Sequence, residues 1–447
     1  MPAAAGLILI LGGVLFTFVG RDFFPAIDAG QIQLHVRAPP GTRIEKTTQI
    51  FQAIENKIRQ IIPESERDQI VDNIGLPARV YNYAFMDGTA IGVNDGVILV
   101  PLKEGHAPTA DYVKKLRQAL PAAFPEDIFY FQPADIATQI LNFGIPTQID
   151  VRTVGYDRTK NLSVANDLRR RMAAIPGLVD VHLQQELDGP DFFANIDRAR
   201  ATQFGLTATT IANDINISLS SSEQVTPNFW TDPANGIPYF LLVQTPEHLE
   251  TSLNELKNTP IGAIAAPISG SVPGLLSNVA TFKRDTTPTN LNQANIQPLY
   301  EILANTQGRD LGAVASDIDR IVAEEQKRLA PGNHIQVVGQ IDSMNTAFQN
   351  MSLGLVFAAI FVYLLMVVNY QTWADPFVVI LALPATLCGA VTMLFVTGTT
   401  LSVPSLMGMI MAVGVASANS ILLVTYARDE QLAGKPAREA AVEAGVT

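Results

Sequence analysis

The chain has 447 residues, with 30 Lys and Arg against 42 Asp and Glu, a net charge of −12, and only 16% of residues charged. The acidic balance argues against a nucleic-acid surface, which needs basic patches to displace counterions, and a single cysteine, Cys388, excludes an intrachain disulfide framework and a Cys-rich zinc module. Hydrophobic residues reach 48%, which excludes a disordered chain and disfavours one that is soluble throughout.

The charges are unevenly placed. Residues 1–20, 344–374 and 376–427 carry none, and the block 21–343 holds 64 of the 72. A membrane-spanning helix needs about 20 apolar residues. The apolar stretches therefore predict four membrane helices, at about 3–20, 348–370, 377–397 and 402–426, with a turn at Gly398–Pro404. The alternative for each is a buried core helix, and core helices seldom run this long without a charge. For the first segment the rival is a signal peptide, but a positive n-region and an Ala-x-Ala pattern around Phe23-Phe24-Pro25 are both missing. Basic residues set orientation. The short loops at 371–375 and 397–400 have no Lys or Arg, whereas the tail carries Arg428, Lys435 and Arg438. This puts the tail and Met1 in the cytoplasm and residues 21–343 on the other side.

The extramembrane block begins with Gln31–Ala38, which alternates apolar and polar residues as a strand does. Thr42 is expected to cap the next helix, with Glu45 completing a capping box. Ile44, Phe51, Ile54, Ile58, Ile61 and Ile62 share one helical face, and Pro63 ends the helix. Strands at 69–74 and 96–102, a helix at 109–123 and a strand at 128–132 complete a βαββαβ, ferredoxin-like unit. The order begins again with a strand at 148–154, a helix at 161–174 and strands at 178–184 and 192–196. Its completing half comes late, as a strand at 296–304, a helix at 310–329 and a strand at 334–338. The intervening Ser-, Thr-, Asn-, Pro- and Gly-rich stretch reads as a small inserted domain. The expected division is a membrane helix at 1–20, a first ferredoxin-like subdomain at 21–146, a second split between 147–200 and 275–343, the insertion at 201–274, three membrane helices at 344–427 and a tail at 428–447. The fold class is a membrane α-helical bundle plus an α+β extramembrane region.

This order, together with local motifs, resembles one half of a resistance-nodulation-division (RND) efflux pump. Phe24-Pro-Ala-Ile-Asp28-Ala-Gly30 followed by Ala38-Pro-Pro-Gly-Thr42 is similar to the entry into the porter region in the second half of such pumps. Ser402-Val-Pro-Ser-Leu-Met-Gly408 and Gly414-Val-Ala-Ser-Ala-Asn-Ser-Ile-Leu-Leu-Val424 resemble that half's fourth helix, where the family carries proton-coupling residues. The resemblance implies a fragment lacking the first half, part of its first helix and the last two helices. It also implies proton-driven export of small amphiphilic compounds from the inner membrane or periplasm by a homotrimer in contact with membrane lipid. The βαββαβ units would be porter subdomains and the insertion a docking-type subdomain, and a periplasmic adaptor and an outer-membrane channel would be partners. The alternatives are a protein-translocation accessory, a lipid transporter or a heavy-metal exporter of the same superfamily.

Two sets of candidate residues follow. Drug exporters usually place a lysine in the fourth helix, whereas this chain has Ala418 there, followed by Asn419, and no ionisable residue in the apolar part of the helix. Ser417, Asn419 and Ser420 are the candidates for hydrogen bonding within a proton-coupling network, against the alternative that they bond neighbouring helices. The loop Pro77–Gly96 carries Tyr81, Tyr83, Phe85 and Met86 among glycines. In the family the corresponding loop borders the drug path, and such residues repack around many apolar ligands at low cost; the alternative is that they plug the subdomain core. His35, His106, His182, His248 and His334 show no ligand spacing, so no metal site is expected. Met407, Met409 and Met411 do not share one helical face and read as packing. Glu324-Glu325 reads as solvated. No Walker loop and no nucleophile with a nearby base are found, so neither a cofactor nor an enzyme activity is expected.

Overall fold

The computed structural model describes residues 2–25, 27–76, 89–142, 144–262, 274–380 and 382–446. It forms two compact units, one of Met1–Glu186 with Pro288–Thr447 and the other of Leu187–Thr287.

The first unit opens with the apolar helix α1 (Pro2–Phe16) and then builds a sheet module from β1 (Gln31–Arg37), α2 (Ile44–Ile61), β2 (Val71–Ile74), β3 (Asp95–Pro101), α3 (Thr109–Ala123) and β4 (Ile128–Gln132). The strand order is β2-β3-β1-β4, all antiparallel. Alternation along β1 sends Ile32, Leu34 and Val36 toward the helices, where they meet Phe51, Ile54 and Leu116. Each such fully buried side chain contributes roughly 1.5–3 kcal/mol. Gly96 permits the β2–β3 contact, because a Cβ there would lie 2.5 Å from the Asn73 carbonyl oxygen. The expected capping box is absent. The N-cap of α2 is Arg43, Thr42 donates its hydroxyl to the Pro39 carbonyl, and Glu45 pairs with Arg43. The local Pro-Pro-Gly turn and an adjacent cation have taken both candidate capping groups.

After α4 (Ile136–Leu141) comes a second module, β5 (Ile149–Val154), α5 (Arg158–Met172) and β6 (Leu178–Leu183). The chain then leaves for the second unit. There β7 (Gly189–Ile196), α6 (Arg198–Gln203), α7 (Ala208–Ser220), β8 (Asn228–Thr231), β9 (Pro238–Leu241), α8 (Leu253–Lys257), β10 (Pro260–Ile261), β11 (Gly274–Leu275), α9 (Leu276–Val279) and β12 (Ala280–Thr287) surround a small core that includes Leu206, Ile211, Ile261 and Leu276. The unit is wider than the expected 201–274. The strand read at 192–196 is β7, and it pairs along its whole length with β12 rather than with the second module. Alternation identifies a strand but not its partner.

Back in the first unit, β13 (Asn292–Ala294), β14 (Gln297–Thr306), α10 (Leu311–Glu325) and β15 (His334–Gly339) complete the second module. β14 pairs with β6 and β5, and β5 pairs with β15, so β6-β14-β5-β15 repeats the order of the first module. Glu325 is not solvated as expected. It is 3% exposed and held by Arg171 at 2.8 Å and Arg328 at 2.5 Å.

β15 runs directly into α11 (Gln340–Tyr370). Gly339 at the junction has φ 88°, and a Cβ there would meet the Gln148 carbonyl oxygen at 2.7 Å. α12 (Ala374–Ile380), α13 (Ala382–Thr397), α14 (Val403–Leu432) and α15 (Ala437–Ala444) follow. Among the described residues α11 and α14 are long and apolar enough to cross a membrane, and the apolar part of α13 is shorter. Several of their outward side chains, among them Leu365, Val368 and Met411, are more than two-thirds exposed, as on a lipid-facing surface.

Candidate functional site

Three features of the first unit bear on function: the face of α14, a cleft beside the two modules, and the buried seam that joins them.

The inner face of α14 is a stripe of Leu406, Met409, Val413 and Ser417. Ser417 is buried and donates its hydroxyl to the Val413 carbonyl of its own helix at 2.7 Å. Ala418 and Asn419 are exposed on this chain, and Ser420 is half-buried. The three polar candidates therefore lie in different surroundings around the helix. Met409 packs with Val391, Leu401 and Leu406, whereas Met407 and Met411 are exposed on the opposite side. Near the far end of α14, the Tyr370 hydroxyl meets Thr425 Oγ1 at 2.6 Å and donates to the Ile421 carbonyl at 3.2 Å, and Arg428 donates to the Tyr370 carbonyl. The sequence does not show this tie between α11 and α14, since single hydroxyls in apolar helices carry no spacing signal. A cavity of about 890 Å³ lies between α1, α11 and α13, lined by Gly12, Phe16, Phe348, Leu387 and Cys388 among others.

The cleft measures about 560 Å³. Its lining includes Phe24 and Asp28 from the chain entering β1, Gln33 of β1, Arg117 of α3, and Asn305 of β14. It also reaches Gln340, the first residue of α11. Burial raises the Asp28 carboxyl, but hydrogen bonds from Thr109 and Gly30 outweigh this and hold it below the usual carboxylate range.

The seam lies where β4 meets β6. Register places His35 opposite Tyr130. The Tyr130 ring is stacked between two imidazoles, His35 at 4.3 Å and His182 at 4.1 Å. His35 Nε2 is paired with Asp95, whose other oxygen accepts from Arg37 Nε at 3.1 Å. Burial raises Asp95, but the charge and hydrogen bond of His35 and the charge of Arg37 hold it low. Arg37 also donates to the Gln184 carbonyl at 3.0 Å and so ties β1 to the chain just beyond β6. Asp180 sits at φ 57°, a left-handed position that Asp tolerates. From there its carboxylate accepts from Arg117 at 2.6 Å, the Phe131 amide at 3.2 Å and Asn305 at 3.1 Å. Burial first, then the charge of Arg37, pushes His182 down to about 4. Burial and the neighbouring Glu301 push Asp150, on the same sheet face, up to about 7 against the opposing charge of Arg152. In the sequence these histidines read as scattered, because only strand register brings them together.

Tyr81, Tyr83, Phe85 and Met86 lie outside the described residues. The chain resumes at Thr89, which is buried, and its carbonyl accepts from Gln184 at 3.3 Å. Among the described residues no group of three or more His, Cys, Asp or Glu is arranged to hold a metal ion.

Residues 2–447 match the model of a family described as the AcrB/AcrD/AcrF family. The chain is 22% identical over 428 residues to the cation efflux system protein CzcA of Alcaligenes sp. (strain CT14), covering 95% of this chain and 39% of that protein. It is 24% identical over 434 residues to protein HelA of Legionella pneumophila, with the same coverage of each. To the nickel-cobalt-cadmium resistance protein NccA of Alcaligenes xylosoxydans xylosoxydans it is 24% identical over 448 residues, covering 98% of this chain and 40% of that one. Among solved structures, the X-ray crystal structure of a heavy metal efflux pump (crystal form II) superposes with a TM-score of 0.78 at 21% identity, covering 95% of this chain and 42% of that one. The chain thus spans about two-fifths of the length of the relatives it matches.

Proposed function

This chain belongs to the AcrB/AcrD/AcrF family of RND permeases, and from that premise we propose that it forms part of a proton-driven efflux transporter. The observation that carries the reading is the cleft of about 560 Å³, walled by two sheet modules of identical strand order and reaching the first residue of the membrane-length helix α11. A site there accepts a substrate outside the hydrocarbon core while remaining mechanically connected to it.

The chain sits in the inner membrane with both ends cytoplasmic and residues 21–343 periplasmic, within a trimer that meets an adaptor and an outer-membrane channel. The modules act as porter subdomains and Leu187–Thr287 as the docking-type insertion. The substrate is a transition-metal cation. The relatives named as cation efflux and nickel-cobalt-cadmium resistance proteins support this. Small amphiphilic compounds are the second reading, favoured by the apolar cavity of about 890 Å³ between α1, α11 and α13. Residues 403–427 of α14 hold no Asp, Glu, His, Lys or Arg, so the titrating carboxylates come from elsewhere in the transporter. Asn419, exposed on this chain, is their hydrogen-bond partner, with Ser420 beside it, whereas the Ser417 hydroxyl is already engaged within its helix.

Expression of the complete gene product in a pump-deficient host tests this. Resistance to Zn²⁺, Co²⁺, Ni²⁺ and Cd²⁺, abolished by a protonophore, is the expected result. Resistance to dyes and detergents instead selects the second reading. No change for any compound contradicts export.

A further inference from the structure

The second module is joined to three apolar helices, and the joint is built mostly from backbone. Beyond the end of α1, Gly20 and Asp22 pair with Leu401, just before α14. Leu401 N–H donates to the Gly20 carbonyl at 2.8 Å, Asp22 N–H to the Leu401 carbonyl at 3.0 Å, and Val403 N–H to the Phe23 carbonyl at 3.1 Å. The same four-residue segment then closes the start of α10. A helix begins with N–H groups that have no partner inside it. In α10 the Leu311 N–H donates to Asp22 Oδ1 at 2.8 Å and the Gly312 N–H to the Arg21 carbonyl at 2.8 Å. Asp310, the N-cap, accepts from Ala313 at 2.9 Å and from the Arg21 N–H at 3.0 Å.

Two glycines allow the approach. A Cβ on Gly312 would lie 2.9 Å from the Cβ of Arg21, and one on Gly20 would lie 2.7 Å from the Cβ of Asp310. Phe23 and Val403 are buried in the same core as Leu311, Ile149 and Ile341, so the module's hydrophobic core continues into the ends of the membrane helices. α5 of the same module makes the contrast. Its N-cap, Asp157, closes on Lys160 of its own first turn at 3.1 Å, and no membrane helix takes part.

We propose that this junction of α1, α10 and α14 is the rigid link that carries movement of α14 to the second module, with Gly20 and Gly312 as positioning residues. The proposal rests on the reading of the chain as part of a proton-driven transporter. α14 is continuous from Val403 to Leu432. At about 1.5 Å per residue, a shift at Asn419 is delivered about 24 Å away, at a point fastened to the first turn of α10. The second module then moves with the bundle, and the change in the cleft falls at the seam with the first module.

The test uses the complete gene product in vesicles with an imposed pH gradient, with Zn²⁺ and ethidium as probes and an internal pH dye for proton flux. Gly312→Val and Gly20→Val are expected to speed amide exchange at Leu311 and Gly312. They are expected to lower probe efflux at least tenfold while proton entry stays within twofold of wild type. Gly312→Ala gives a smaller loss in the same order. Asp157→Ala, which removes an equivalent cap without touching a membrane helix, keeps efflux within twofold. Efflux preserved despite a loosened first turn of α10 overturns the proposal. So does an equal loss in Asp157→Ala, or proton flux that falls in parallel with efflux. A wild type that moves neither probe overturns the transporter reading itself.

Discussion

Replacing His182 by Phe keeps a flat ring against Tyr130 and removes the titratable nitrogen. In the folded protein burial holds His182 near 4, against 6.5 for an ordinary histidine. Between those values the unfolded chain binds the proton and the native one does not, so stability rises with pH across the window. The contribution is fully present above about 6.5 and lost by about 4. A shift of this size corresponds to about 3 kcal/mol, and the side chain is buried deeply enough that solvent does not discount it. Asp150 works in the opposite sense. Its folded value is raised to about 7, so its contribution favours the native state at low pH and fades as pH rises from about 4 to 7. The total slope therefore mixes both, and the difference between wild type and variant isolates His182. Urea unfolding of the full chain in detergent, followed by amide exchange at β5 and β14, supplies the readout. Wild type is expected to lose about 3 kcal/mol more than His182→Phe between pH 7 and pH 4. Parallel loss in both proteins would refute the placement of a neutral imidazole in the seam.

Arg117→Ala leaves the Asp180 carboxylate buried without its cation, and removing one partner of a buried pair costs about 3–5 kcal/mol; the same urea titration reads this, and a loss under 1 kcal/mol contradicts the pairing. Gly96→Ala drives a Cβ into the Asn73 carbonyl and is expected to cost about 1–3 kcal/mol, seen as faster exchange of β2 and β3 amides. Ser417→Ala removes a hydroxyl bonded only within its own helix and is expected to leave stability within about 0.5 kcal/mol, measured as the detergent unfolding midpoint, whereas Asn419→Leu is expected to lower efflux at unchanged stability.

The elements legible in the sequence are those whose periodicity matches their burial. α3 and β4 fall where alternation and the helical stripe place them, and β1, β5 and β15 differ by a residue at an end. What the sequence hid depends on partners distant along the chain. β7 alternates like any strand, and only its register with β12 assigns it to the second unit. Glu325 reads as solvated until Arg171, 154 residues earlier, is seen to cover it. His35, Tyr130 and His182 form no sequence motif because two different sheets supply them. The N-terminus of α10 carries an ordinary Asp cap, and nothing local shows that Asp22, 289 residues away, closes the same turn. Of the candidate site, the sequence located α14 and its polar residues. It left open which of them face the bundle, because a helix hydrophobic on all sides has no amphipathic stripe to orient it.

The proposed function is export driven by protons. Its most direct test is Zn²⁺ efflux from vesicles holding the complete gene product, measured before and after the pH gradient is collapsed with a protonophore. Efflux that depends on the gradient and is matched by proton entry is the expected result. Efflux that persists unchanged without the gradient, or no efflux of any probe while the gradient stands, contradicts it.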